Sequence, residues 1–130
     1  MPLQVVRGRM LERLHEAGFT DLETAHLNVF QYPGPQGARP SELASRLRMS
    51  KQALNYLLGQ LEQRGYIERR PDPDDRRSKR IDLTRRGLAI VPVIRGAVAE
   101  IEQEWGAALG RRRFDRLRDG LRDLNRLLGA

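Results

Sequence analysis

Residues 38–84 read ARPSELASRLRMSKQALNYLLGQLEQRGYIERRPDPDDRRSKRIDLT, and a change of period inside this stretch decides the fold. Leu43, Ala44 and Leu47 share one face of a short helix, and Pro40 suits its first position. Met49-Ser50 makes the turn that follows, and Ser50 is a good N-cap for the next helix. That helix repeats Leu54, Leu57, Leu58 and Leu61 at i, i+3, i+4 and i+7, a single apolar stripe, until Gly65 stops it. Alternation then replaces the helical period. Tyr66-Ile67-Glu68-Arg69 and Arg80-Ile81-Asp82-Leu83 read as half-exposed strands joined by a charged tip over Pro71–Lys79. Two short helices across a tight turn, followed at once by a basic two-stranded hairpin, form a winged helix-turn-helix pattern.

The flanks are helical. Val6, Met10, Leu11, Leu14 and Ala17 recur at helical spacing over Leu3–Ala17, and Gly18 ends that helix. Thr20-Asp21-Leu22-Glu23 reads as a capping box for a second helix running to about Gln31. Leu22, Ala25, Val29 and Phe30 are expected to point inward, and Pro33-Gly34-Pro35-Gln36-Gly37 breaks the helix. Thr84 is expected to cap a long helix over about Arg85–Leu109, kinked at Pro92. After Gly110 a last helix carries Phe114, Leu117, Leu121, Leu124, Leu127 and Leu128. The fold class is mainly α with a small β-hairpin wing. We expect an N-terminal dimerisation helix at 1–19, the winged helix-turn-helix at 20–86 and C-terminal dimerisation helices at 87–130, in one compact chain.

Charge is concentrated in the same central stretch. The 130 residues carry 24 Lys+Arg and 17 Asp+Glu, a net +7. Gly37–Gly87 holds 13 of the basic and 7 of the acidic residues, so it carries +6 of that total. A basic surface on a near-neutral scaffold points to a polyanionic partner. The absence of cysteine removes disulfides, thiol redox sensing and Cys-ligated zinc. No apolar run is long enough to span a membrane, and Met1–Arg13 has no apolar h-region, so a cytoplasmic, nucleoid-associated protein is expected. The sequence has no P-loop, dinucleotide fingerprint, zincin motif or nucleophile elbow, and an enzyme is not expected. His15 and His26 lack a suitable third ligand. Asp72, Asp74 and Asp75 lack the central Gly and terminal Glu of a calcium loop, which leaves them a structural role orienting arginines. No metal or cofactor is therefore expected.

On the second central helix, the side opposite the leucines shows Gln52, Asn55, Tyr56, Gly59 and Gln63, with Lys51 beside them. Asn and Gln offer the paired donor and acceptor that match an adenine edge, and Gly59 would allow close approach. The first acidic residue is Glu62. The two lysines of the chain, Lys51 and Lys79, open this helix and flank the hairpin tip.

The run Ser41-Glu42-Leu43-Ala44, then Leu47, Ser50, Leu61-Glu62-Gln63-Arg64-Gly65-Tyr66-Ile67, Asp75-Arg76-Arg77 and Leu83-Thr84-Arg85-Arg86-Gly87 resembles the MarR (multiple antibiotic resistance regulator) family. The resemblance covers roughly Thr20–Ala89. It implies a homodimeric transcription regulator, usually a repressor, that binds a palindromic operator in double-stranded DNA and is released by a small aromatic effector. It also implies that Asp75 orients Arg77 for the minor groove, with Arg76 as a second contact, and that Ser50, Lys51, Gln52, Asn55 and Tyr56 read the major groove. Lys79 joins the DNA-binding set. Leu117, Leu121, Leu124 and Leu128 are the expected dimer core, because the first and last helices have stripes with no partner inside the small winged domain. Arg111-Arg112-Arg113 opens the last helix and is expected to be solvated. Trp105 and Tyr32 read as packing residues rather than the lining of a pocket. The alternative function is an architectural DNA-binding protein with little sequence preference and no effector. Two departures from the family stand out: the first helix is short, and the third begins at Arg39-Pro40 without a Thr-like cap.

Overall fold

The computed structural model describes residues 2–30 and 34–128. Helices α1 (Pro2–Glu16), α2 (Thr24–Leu27), α3 (Pro40–Leu47) and α4 (Lys51–Gln63) precede a hairpin of β1 (Ile67–Pro71) and β2 (Lys79–Leu83). Helices α5 (Arg85–Leu109) and α6 (Arg111–Leu127) follow. The hairpin is antiparallel, with Ile67 opposite Leu83 and Pro71 opposite Lys79. A bridge from Ala38 to Ile81 adds a third backbone segment at its edge.

One core joins these parts. Leu54, Leu57, Leu58 and Leu61 of α4 meet Leu22, Leu27, Val29 and Phe30, Leu43 and Ala44 of α3, Tyr66, Ile67, Ile81 and Leu83 of the hairpin, and Ile90 of α5. The turn between α3 and α4 is made at Arg48, which takes the left-handed conformation (φ 53°). Thr84 caps α5, accepting from the Gly87 amide at 3.1 Å. Gly87 is required here: a Cβ would lie 2.1 Å from the Tyr66 carbonyl oxygen. Pro92 lies on the exposed side of α5, within a helix that runs from Arg85 to Leu109.

Three expectations need correction. The second helix spans only Thr24–Leu27, and its cap is Glu23, not Thr20. Glu23 and His26 form the reciprocal capping pair, because Asp21 is drawn away to Tyr66 and Arg86. The expected end at Gln31 and the breaker Pro33 lie outside the described residues. Ala25 is exposed, and His26 takes the inward position instead. Finally, the apolar stripe of the first helix, expected to find no partner in the winged domain, adds Leu14 to that domain's core, with Met10 and Leu11 packed against it. Helix α1 lies along α5, with Leu14 fully buried. Arg9 meets Glu104 at 2.9 Å and Arg13 meets Glu100 at 3.1 Å across that seam.

Candidate nucleic-acid interface

Burial of one side of α4 dictates what the other side presents. Its four leucines are at most 7% exposed. Lys51, Gln52, Asn55 and Tyr56 are exposed on the opposite side, Tyr56 at 67%. Ser50 places the start of the helix: its Oγ accepts from the Ala53 amide at 3.1 Å. The hydroxyl's own proton is not used by that bond and stays free to donate. Lys51 and Asn55 line a groove of about 220 Å³ with Pro40 and Ser41 of the first turn of α3. The starts of the two helices thus share one concave surface.

The wing is held by its aspartates. At the tip, the Asp72 amide donates to the Ser78 carbonyl at 3.0 Å and the Ser78 amide to the Asp75 carbonyl at 3.1 Å. Asp75 Oδ1 accepts from the backbone amide of Arg77 at 3.0 Å, and Oδ2 from the Ser78 hydroxyl at 3.2 Å. Asp75 therefore sets the path of the chain at Arg77 rather than gripping its guanidinium. Arg76, Arg77 and Lys79 are exposed, and among the described residues no carboxylate pairs with either arginine.

Asp72 anchors the wing: a role orienting arginines was expected for it, but its partner, Arg39, was not. Asp72 is only 6% exposed. Its Oδ1 accepts from the Asp74 amide at 2.9 Å and its Oδ2 from Arg39 Nε at 2.6 Å. The Asp74 amide, and then the Arg39 guanidinium, hold the Asp72 carboxyl below the usual carboxylate range against the opposing effect of burial. Arg39 is the N-cap residue of α3 and makes no side-chain cap bond. It spends its side chain on the wing instead. This one ion pair ties the hairpin tip to the start of α3, beside the groove that Lys51 and Asn55 line.

A second polar cluster supports the other end of α4. Tyr66 is fully buried, and its hydroxyl donates to Asp21 Oδ1 at 2.5 Å. Arg86 stacks 4.2 Å from the centre of the Tyr66 ring and reaches Asp21 at 3.3 Å. Arg64 donates to the Asp21 carbonyl at 2.7 Å. Burial, and then Asp21, push the Tyr66 hydroxyl up to about 12. Burial also pushes the Asp21 carboxyl up, but Tyr66, Arg86 and Arg64 outweigh it and hold it below its usual range. His26 and Gln60 were likewise not singled out as partners. Their sequence signal is slight: Gln60 sits at the border of the leucine stripe.

Helix α6 presents a different surface. Phe114 is buried. Leu117, Leu121, Leu124 and Leu128 are 52%, 55%, 49% and 64% exposed. Leu117 and Leu121 edge an apolar groove of about 180 Å³ with Val6, Val98, Trp105 and Phe114. Trp105, expected to pack rather than line a pocket, is partly exposed and lines this groove; Tyr32 lies outside the described residues. Arg111 is 3.7 Å from Asp115, one turn on, while Arg112 and Arg113 are exposed. Among the described residues no group of three His, Asp or Glu is placed to hold a metal ion, and no helix is long and apolar enough to cross a membrane.

Comparison with known proteins agrees with this architecture. The sequence profile of the MarR family matches residues 17–78. BadR of Rhodopseudomonas palustris, named a transcriptional activatory protein, is 32% identical over 94 residues, which is 72% of this chain and 53% of BadR. The chain spans about half the length of the curated relatives it matches. The crystal structure of MarR superposes with a TM-score of 0.75 at 25% identity, over 97% of this chain and 93% of that one. A mutant of MepR from S. aureus, solved bound to an oligodeoxyribonucleotide, superposes with a TM-score of 0.65 at 21% identity, over 98% of this chain and 93% of that one. With the winged helix-turn-helix and its flanking helices in place, these matches establish that the chain belongs to the MarR family, a family of transcription regulators.

Proposed function

We propose that two copies of this chain form a regulator that binds a palindromic operator in double-stranded DNA. In this reading residues 20–86 are the reading head, and residues 1–19 and 87–130 bring two heads together. The observation that carries the proposal is the exposed face of α4. Lys51, Gln52, Asn55 and Tyr56 stand opposite four buried leucines, with no acidic residue before Glu62. Arginines and lysines displace counterions from phosphates and supply most of the affinity. Asn55 and Gln52 supply base discrimination, about 1–3 kcal/mol for each good bidentate pair. Arg76 and Arg77 reach the neighbouring minor groove or backbone from a wing that Asp75 shapes and Asp72 anchors. That MepR was solved with an oligodeoxyribonucleotide supports the same use of the shared fold.

Regulation follows from where the operator lies. Occupancy over a promoter represses, and this is the sign we propose; BadR is named for activation, and the same reading head serves either sign. Release by a small aromatic effector would act where the head meets α5. Phe30, Pro35, Leu83, Val91 and Ile94 line a cavity there of about 80 Å³, well under the ~300 Å³ of a typical ligand site. An effector must therefore widen that seam, and widening it would alter the spacing of the two reading helices.

Selection from a random duplex library by the full chain tests the proposal. The expected product is a two-fold repeat with half-sites about one helical turn, ~34 Å, apart. Asn55→Ala should relax the selected sequence more than it lowers affinity for unrelated DNA. Arg77→Ala should weaken binding while leaving the fold intact. Tight, steeply salt-dependent binding with no enriched sequence would establish the architectural alternative instead.

A further inference from the structure

A line of hydrogen bonds runs from the core to the exposed face of α4. His26 is fully buried. Its Nδ1 accepts from the Glu23 backbone amide at 2.9 Å, so in the neutral ring the proton sits on Nε2. Nε2–H faces Gln60 Oε1 at 2.8 Å and donates to it. This fixes the orientation of the Gln60 amide, since its oxygen is engaged by the histidine and its nitrogen must point the other way. Gln60 Nε2 then donates to the Tyr56 hydroxyl oxygen at 3.0 Å. The Tyr56 hydroxyl receives a bond from inside the protein, so its own proton is directed outward.

Resting on the regulator reading above, we propose that Tyr56 is a dedicated hydrogen-bond donor to an acceptor on the duplex, and that Gln60 and His26 are positioning residues that set this sense. A free phenol can donate or accept. One whose lone pair is occupied by a glutamine amide discriminates in favour of acceptors: a phosphate oxygen or an acceptor on a base edge. The pairing of Tyr56 with Gln60 is favoured by their i, i+4 spacing on one helix. The orientation of that pair is dictated from 34 residues away by a histidine with both ring nitrogens engaged. A surface tyrosine bonded only to its helical neighbour would not have its donor sense fixed in this way.

The experiment is a double-mutant cycle on the full chain, with affinity read by fluorescence anisotropy. The probes are a duplex selected by the wild type and an unrelated duplex of equal length. Tyr56→Phe keeps the ring and removes the donor; about a tenfold loss is expected. Gln60→Met, at a half-buried position, should cost several-fold alone and less than twofold when added to Tyr56→Phe. Circular dichroism and thermal melting confirm that each variant is folded. The cycle is built on Gln60 because replacing His26 would disturb a fully buried site. A loss equal on both duplexes assigns the acceptor to phosphate, and a loss confined to the selected duplex assigns it to a base; either supports the proposal. A Tyr56→Phe variant within twofold of wild type on both duplexes overturns it, as do losses that simply multiply. Both of those results leave the regulator reading standing. A wild type that retains no duplex in the selection and does not bind the unrelated one removes both.

Discussion

Helices α4 and α6 carry nearly the same leucine spacing and meet opposite fates. In α4, Leu54, Leu57, Leu58 and Leu61 are almost entirely buried within the chain. In α6, Leu117, Leu121, Leu124 and Leu128 stay about half exposed, and only Phe114 is buried against the rest of the molecule. The difference lies in the surroundings. Helix α4 is enclosed by α2, α3 and β1, whereas α6 packs chiefly on α5. An apolar period therefore states that a face needs covering, and only the topology says whether the cover belongs to the same chain. Four leucines on one exposed stripe are more than scattered surface apolar residues and mark an interaction face.

The sharpest way to break this comparison is to charge the α6 stripe. Leu117→Glu combined with Leu121→Glu would remove four leucines, two from each copy, from the proposed two-fold interface. At about 1.5–3 kcal/mol each, roughly 6 kcal/mol or more of association energy is lost, or more than ~10⁴-fold in dimer affinity. Sedimentation should show a folded monomer that no longer binds a palindromic duplex tightly. A variant that still sediments as the wild type would show that α6 is not the pairing face.

The same residue type in α4 should fail differently. Leu58→Ala opens a cavity in the core of the reading head and is expected to cost about 3–5 kcal/mol. Urea unfolding in the monomeric background isolates that loss from subunit association, which would otherwise make stability depend on concentration. Leu124→Ala in that background should change stability by less than about 0.5 kcal/mol. Equal losses at the two positions would erase the distinction between a core helix and an interface helix.

What the chain reveals before folding follows the same divide. The leucine stripe of α4, the Ser50 and Thr84 caps and the hairpin are local patterns, and local physics places them. The start of α2 is not local. Thr20–Glu23 and Glu23–His26 both resemble reciprocal caps, and the choice between them is made by Asp21, which Tyr66 and Arg86 draw away. Arg39 and Asp72 stand 33 residues apart, and His26 and Gln60 stand 34 apart. Each pair exists only once the hairpin, or α2, is docked. The seam between α1 and α5 joins residues as far as 95 positions apart, so no window of sequence contains it. In the candidate site, the exposed residues of α4 and the wing were legible because polarity marks them. Of the residues that hold them in place, the local ones, Ser50 and Asp75, were legible too, whereas the distant partners Arg39 and His26 were not.

Polar ties sharpen the contrast between the two regions at smaller energies. The reading head has Tyr66 donating to Asp21 from a fully buried site, while the contact of α6 with α5 has Arg118 at 3.6 Å from Glu102, both partly exposed. Tyr66→Phe should cost about 2 kcal/mol, the worth of a hydrogen bond to a charged acceptor. Arg118→Ala should cost less than about 1 kcal/mol. The advantage of Tyr66 is also pH-dependent. Its folded value, about 12, lies above the ordinary tyrosine value near 10, so the contribution is whole below pH ~10 and fades as pH rises through the folded value. Matched melts of wild type and Tyr66→Phe near neutral pH measure the gap, and coincident curves would sink the tie.

The smallest expected effect concerns the wing anchor, and pH isolates it. The Asp72 carboxyl is held below its usual range when folded, so its contribution is complete above the unfolded carboxylate value near ~3.9. It is lost as pH falls through the lower folded value. Asp72→Asn keeps the shape, but its single amide oxygen can serve only one of the two donors, the Asp74 amide or Arg39, and the charge is gone at every pH. Wild type should therefore melt slightly above the variant through the neutral range, and the two melting curves should converge as the solution is acidified below pH ~4. Asp21 and Glu104 are also held low, yet they are present in both proteins and cancel from the difference. A gap that persists undiminished in acid would mean that shape, not the charge facing Arg39, fastens the wing. Helix α6 offers the control: Asp123 is exposed and lies 3.7 Å from Arg126. Asp123→Asn should leave the melting temperature unchanged across the same range, because an exposed pair of this kind holds nothing in place.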